Sequence, residues 1–259
     1  MPTWRLDIEY DGSRYAGWQK QPHARTVQGE LLKAAAAISK TPVEIGAAGR
    51  TDAGVHARHQ VAHLRAAIRP LPPQQLQIRL NDHLPADINI LSLKPASNNF
   101  HARHDALMRY YIYQISTRRT ALGKPYVWWI KDRLQLSAMQ EAGQLLSGRH
   151  DFYSFCESAQ DQPSTIVEVE RAELATSGSL ILFRIGASHF LWKMVRRLVG
   201  ALVEVGRGNI DVTQFHQLLN SHSGVSAAWT APPSGLFLEK IIYSGDAAPT
   251  ALVPAFPID

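Results

Sequence analysis

An α+β fold built from two similarly ordered halves follows from three features of the 259-residue sequence. Short apolar segments of period 2 alternate with segments of period 3.6. Each half reads as β-α-β-β-α-β, although no sequence identity between the halves establishes a duplication. No uncharged apolar run approaches the ~20 residues of a membrane span. The expected architecture is two ferredoxin-like (RRM-like) halves, residues 1–104 and 105–259, forming one extended mixed or antiparallel sheet with flanking helices and a central cleft.

In the first half, Trp4, Leu6, Ile8 and Tyr10 alternate with Arg5, Asp7 and Glu9, the pattern of a half-buried strand ended by Asp11-Gly12. Thr26 is the expected N-cap of a helix with Val27, Leu31, Ala34, Ala35 and Ile38 on one stripe, stopped by Thr41-Pro42. Strands follow at 43–48 and 60–64, joined by the glycine-bearing connection 49–58, then a helix at 73–81 and a strand at 88–93. In the second half, strands are expected at 109–116, 166–174, 180–187 and 235–243, with helices at 137–146, 190–205 and 212–219. The Ala- and Pro-rich tail from Asp246 to Asp259 is expected to lack regular structure unless a partner subunit orders it.

Hydrophobic residues make up 45% of the chain and charged residues 19%, which excludes a disordered protein. Lys and Arg total 27 against 22 Asp and Glu, a net charge of +5 that makes a polyanion the first partner to consider. The single cysteine, Cys156, rules out an intramolecular disulfide or a multi-cysteine zinc site and fits a reducing compartment, the cytoplasm. The N-terminus lacks a basic region followed by an apolar one, which argues against secretion.

Three stretches carry chemistry. In Gly49-Arg50-Thr51-Asp52-Ala53-Gly54-Val55-His56-Ala57, two glycines frame an Arg, a Thr and an Asp. Asp52 reads either as a carboxylate nucleophile or base kept ionised by a guanidinium, or as the cap of a tight turn. In the strand Arg109-Tyr110-Tyr111-Ile112-Tyr113, Arg109, Tyr111 and Tyr113 share a face, a platform for a stacked base or an ordinary aromatic core. In the helix containing Lys193, Arg196, Arg197 and Gly200, the cations gather opposite an apolar arc, and either phosphates or a buried carboxylate accounts for them. His56, His59 and His63 do not converge along a strand, so no metal site is expected. Asp7 and Glu9 are expected on a solvated face, and Cys156 has no histidine nearby in sequence to activate it.

Taken together, Tyr10-Asp11-Gly12, Gly17-Trp18-Gln19, Thr26-Val27-Gln28, the run from Gly49 to Ala57, Phe100-His101-Ala102-Arg103, Arg109, Tyr111, Tyr113, Met194-Val195-Arg196 and Gly235-Leu236 resemble the tRNA pseudouridine synthase A family. The matches run in order along nearly the whole chain. His104 and Tyr110 depart from that pattern, where a phenylalanine and a basic residue are frequent. The resemblance implies a cofactor-free isomerisation of uridine to pseudouridine in the anticodon stem-loop of tRNA, at nucleotides conventionally numbered 38, 39 and 40. It implies that Asp52 is the catalytic aspartate, that Tyr111 packs on the target uracil, that Arg196 pairs with the carboxylate and that Arg50 helps hold the flipped nucleotide. A homodimer with a positively charged cleft is implied as well, with Lys193 and Arg197 holding the RNA backbone.

Three other readings compete: a pseudouridine synthase for other RNA positions, a non-catalytic RNA-binding or chaperone protein on the same fold, and a metal-dependent phosphohydrolase. The second needs no Asp52, and the third predicts inactivation by a chelator.

Overall fold

The computed structural model describes residues 1–39, 41–68 and 71–258, so Asp259, the end of the expected tail, lies outside the described residues. The fold is α+β, and the chain divides into two compact units, residues 1–107 with 238–247 and residues 108–237 with 248–259.

The first unit contains β1 (Thr3–Tyr10), α1 (Val27–Ile38), β2 (Glu44–Ala47), β3 (His56–Arg65), α2 (Pro73–Asp82) and β4 (Ile88–Ala96). β1 lies between β4 and β3, antiparallel to both, and β2 pairs with the far end of β3 from Glu44 opposite Arg65 to Ala47 opposite Ala62. The order β4-β1-β3-β2 is that of a ferredoxin-like unit. Thr26 caps α1 as expected, its Oγ1 accepting from Gly29 N at 3.2 Å. Leu31, Ala34 and Ala35 on α1 and Leu76 and Leu80 on α2 are buried, as are Leu6, Ile8, Val61 and Leu64 in the strands. The central place of β1 corrects one expectation. Asp7 is buried because the neighbouring β4 brings Ser92 Oγ to 2.6 Å of its carboxylate and Arg5 Nε donates to it at 3.1 Å, whereas Glu9 on the same strand is exposed as expected.

The second unit holds β5 (Met108–Ser116), β6 (Trp128–Trp129), α3 (Leu136–Gln144), β7 (Gly148–Asp151), β8 (Ile166–Ser177), β9 (Leu180–Ala187), α4 (Met194–Arg207) and α5 (Val212–Leu219). Strands run in the order β5-β9-β8-β7, antiparallel throughout, and the two-residue β6 adds to β5 in parallel. A last strand, β10 (Leu236–Ile242), begins in this unit and ends in the first. A Cβ on the preceding Gly235 would lie 2.7 Å from Gln114 O, so only glycine fits at the start of that strand. Asp211 closes a capping box with Gln214 at the start of α5.

Helix α4 begins four residues later than the periodicity suggests. Lys193, with φ 59°, stands in the left-handed region at the helix N-cap and turns the chain before the first helical residue. Eleven of the fourteen residues of α4 are buried, so it is a core helix and not one with a solvated cationic face. The tail carries no regular element, yet the second unit itself orders it. Gln114 exchanges hydrogen bonds with Phe256, donating from Nε2 to its carbonyl (3.1 Å) and accepting its N–H (3.0 Å). Ile258 completes a cluster with Ile112, Val127, Leu180, Leu182 and Phe237.

Candidate active site

The connection between β2 and β3 is laced to residues 10–18 at four points. Tyr10 OH and Thr51 Oγ1 are 2.8 Å apart, Trp18 N donates to Thr51 O (3.0 Å), Gly54 N to Tyr15 O (3.2 Å) and Gly12 N to His56 Nδ1 (3.1 Å). From the other side, Gln60 Nε2 donates to Gly49 O (3.0 Å) and Ala48 N to Val61 O (2.9 Å). Glycine is needed where the two segments touch. A Cβ at Gly12 would collide with the Val55 carbonyl, and one at Gly17, where φ is 90°, would lie 2.7 Å from Thr51 O.

The result is a loop whose backbone is fixed while its functional groups remain reachable. Thr51, Val55 and His56 are buried, Asp52 is half-buried and Arg50 is exposed. A carboxylate presented this way loses little conformational freedom on meeting a substrate, the requirement for a positioned nucleophile or base. Burial raises the Tyr10 phenol to about 12, so its hydroxyl stays protonated at neutral pH.

His56 and His63 have different partners. His56 accepts from Gly12, whereas His63 Nδ1 accepts from Ala102 N at 3.1 Å and its ring lies 4.7 Å from that of His101. Burial lowers the His59 and His63 pKa values.

In the second unit, the shared face of β5 separates into two environments. Tyr113 is fully buried, donating to Pro232 O at 2.7 Å and meeting Trp128 edge-on, a core role. Tyr111, nearer the start of the strand, meets Phe190 edge-on at 5.0 Å, and Arg109 donates to Ser188 O at 2.7 Å. On α4, Arg196 is half-buried and is aimed by a two-way link with Ala231: Arg196 Nε donates to Ala231 O at 2.7 Å and Ala231 N donates to Arg196 O at 3.0 Å. The close approach is possible because residue 200 is glycine, whose Cβ would otherwise strike the Trp229 carbonyl.

Lys193 and Arg197 answer the question left open by the cation cluster. Both engage one carboxylate, Glu157: Lys193 Nζ donates at 3.1 Å and Arg197 Nη2 forms a direct ion pair, while Arg197 Nη1 donates to Cys156 O at 2.7 Å. The hydrogen bond from Lys193, with Arg197 behind it, holds the Glu157 carboxyl below the usual carboxylate range. Cys156 is buried beside this pair, and burial pushes its thiol up, the opposite of a reactive cysteine. No local signal marks Glu157, and Tyr10 and Gly12 stand in the sequence as a strand end and motif residues, with nothing to show that they hold the loop. The partners of these three residues lie 40, 41 and 44 residues away, and no local pattern announces such pairs.

Fold and loop together define an α+β protein with a rigidly mounted aspartate in its first unit and an aromatic strand and an aimed arginine in its second. A family model described as tRNA pseudouridine synthase matches residues 8–105 and 142–244. The chain is 40% identical over 248 residues to the tRNA pseudouridine synthase A of Mesorhizobium japonicum, covering 94% of this chain and all of that protein. It is 40% identical to the proteins of that name from Hyphomonas neptunium and Thermosipho melanesiensis, again over 94% of this chain and 99% and 100% of theirs. The chain belongs to the tRNA pseudouridine synthase A family.

Proposed function

We propose that the protein is an isomerase that converts uridine to pseudouridine in tRNA, at nucleotides 38, 39 and 40 of the anticodon stem-loop, working as a homodimer without a cofactor. The observation that carries this reading is the mounting of Asp52 on a loop laced to residues 10–18 within the stretch matched by the family model.

A stacked uridine is out of reach of any side chain, so the nucleotide leaves the stem and contacts in the site offset the lost stacking. Arg50, exposed beside Asp52, holds the extruded nucleotide, and the Tyr111 ring packs against the uracil. Asp52, kept ionised by Arg196, attacks the ribose or the base, or assists departure of the uracil. In each route the bond from C1′ to N1 breaks, a bond from C1′ to C5 forms, the proton on C5 is lost and N1 gains one. Lys193 contacts the RNA backbone from the N-cap of α4. Arg197, buried and paired with Glu157, anchors the start of α4 and does not meet the RNA.

Mapping pseudouridines by reverse-transcription stops in tRNA transcripts treated with the purified protein tests the reading. Modification confined to nucleotides 38–40 is the expected result. Modification elsewhere places the protein among synthases for other positions, and binding without modification supports the non-catalytic alternative.

A further inference from the structure

The connection from β5 to α3 concentrates charge that the reaction does not use. Residues 117–133 contain five Lys or Arg and one Asp, while the rest of the second unit has eight Lys or Arg against ten Asp or Glu. The unit's positive charge is therefore segregated into this one segment, on a remainder that is net negative. The single acid is already engaged, since Asp132 accepts from Arg207 Nε at 2.8 Å. Arg119, Lys124, Lys131 and Arg133 are exposed, and among the described residues none of them forms an ion pair.

The segment is also held in shape. Val127 and Ile130 are buried, Ile130 N donates to Ser116 O (3.0 Å), Gln114 Nε2 donates to Tyr126 O (3.0 Å) and Ser234 Oγ donates to Val127 O (3.2 Å). This pinning turns Trp129 outward, 41% exposed, with the Arg119 guanidinium 5.8 Å from its ring centroid. An exposed indole flanked by unpaired cations on a fixed backbone provides stacking and phosphate contacts together, the combination that binds an RNA strand. Clustered like charge disfavours a second copy of the same surface as the occupant.

We propose that Arg119, Lys124, Trp129, Lys131 and Arg133 form a second tRNA contact that grips the substrate away from the target nucleotide. This rests on the proposed function above, which supplies the RNA. Five residues of strand separate Tyr111 from Ser116, a span of about 17 Å, so RNA held at this segment is not the nucleotide packed on Tyr111. The contact adds affinity and leaves the chemical step alone.

The test compares full-length tRNA with its isolated anticodon stem-loop, using wild type, a quadruple variant (Arg119→Gln, Lys124→Gln, Lys131→Gln, Arg133→Gln) and Trp129→Ala. Filter binding and turnover are measured for each, with circular dichroism as a check of folding. The quadruple variant is expected to weaken full-length tRNA binding at least about tenfold, to flatten its salt dependence by up to about four phosphate contacts, and to keep kcat. Trp129→Ala is expected to weaken it at least about fivefold. Stem-loop binding is expected to stay the same for all three proteins. Equal loss for both RNAs, no loss for either, or wild-type binding to phosphatidylserine vesicles that tRNA does not displace would overturn the proposal. Absence of turnover in wild type would overturn the proposed function instead, and the binding arm would still decide this contact.

Discussion

Tyr10 OH lies 2.8 Å from Thr51 Oγ1, a buried hydrogen bond between the end of β1 and the residue preceding Asp52. It ties the candidate carboxylate to the central strand of the first unit. Removing one hydroxyl, as in Tyr10→Phe, costs about 1 kcal/mol of stability. It also loosens the loop, so kcat falls while KM for tRNA holds. Thr51→Val has the same effect, and the double variant is no slower than either single one, because both remove the same bond. Chemical denaturation and steady-state kinetics on the three proteins check this.

Gly17 sits at φ 90° with Thr51 O and the Asp52 carbonyl carbon at 2.7 and 3.1 Å from where a Cβ would be. Gly17→Ala therefore combines a backbone cost of about 1 kcal/mol with displacement of the loop. Turnover should drop more than tenfold in a protein that still folds and still binds tRNA. Unaltered kcat would show that the loop tolerates the shift.

Arg197 and Glu157 form an ion pair against the start of α4. Arg197→Met leaves the Glu157 carboxylate with Lys193 alone and removes the donor to Cys156 O, a loss of about 2–3 kcal/mol. The pH dependence has a definite sign. The folded-state pKa of Glu157 is depressed below its ordinary value of 4.5, so its stabilisation is present above that pH and is lost as pH falls below it. Urea unfolding from pH 7 to 3 should show wild type losing more stability than Glu157→Gln across the acid limb.

Removal of residues 248–259 strips Ile258 from the cluster around Ile112 and Leu182 and leaves the buried Gln114 amide without Phe256. Burial of one isoleucine contributes about 1.5–3 kcal/mol, and unsatisfied amide groups add to the loss. The truncated protein should melt well below wild type at any protein concentration, because the tail packs on its own chain. A melting point that recovers with rising concentration would instead implicate a partner subunit.

The regular elements were legible wherever local chemistry decides them. Thr26 announced α1, the alternation from Trp4 to Tyr10 announced β1, and β9 fell at the expected residues. The two-residue β6 and the four-residue β7 were not, since Trp128-Trp129 is too short for a period and Gly148–Asp151 holds no apolar side chain to mark one. The start of α4 was misplaced because its periodicity extends through Phe190 and Leu191, and only the left-handed backbone at Lys193 breaks it. Within the candidate site, the glycines flanking Asp52 were readable as a special loop. What holds that loop was not, because Tyr10, Gly12 and Gly17 act through tertiary contacts. The cations of α4 were visible as a cluster, whereas the carboxylate that two of them share, Glu157, lies on a distant loop.

Asp52 is proposed to isomerise tRNA uridine, and release of tritium from carbon 5 of labelled uridine in a tRNA transcript measures that step directly. Forming the bond from C1′ to C5 expels that hydrogen, so wild type should release tritium in proportion to modified nucleotides while Asp52→Asn binds the same tRNA and releases none. Release by Asp52→Asn at the wild-type rate would contradict the assignment.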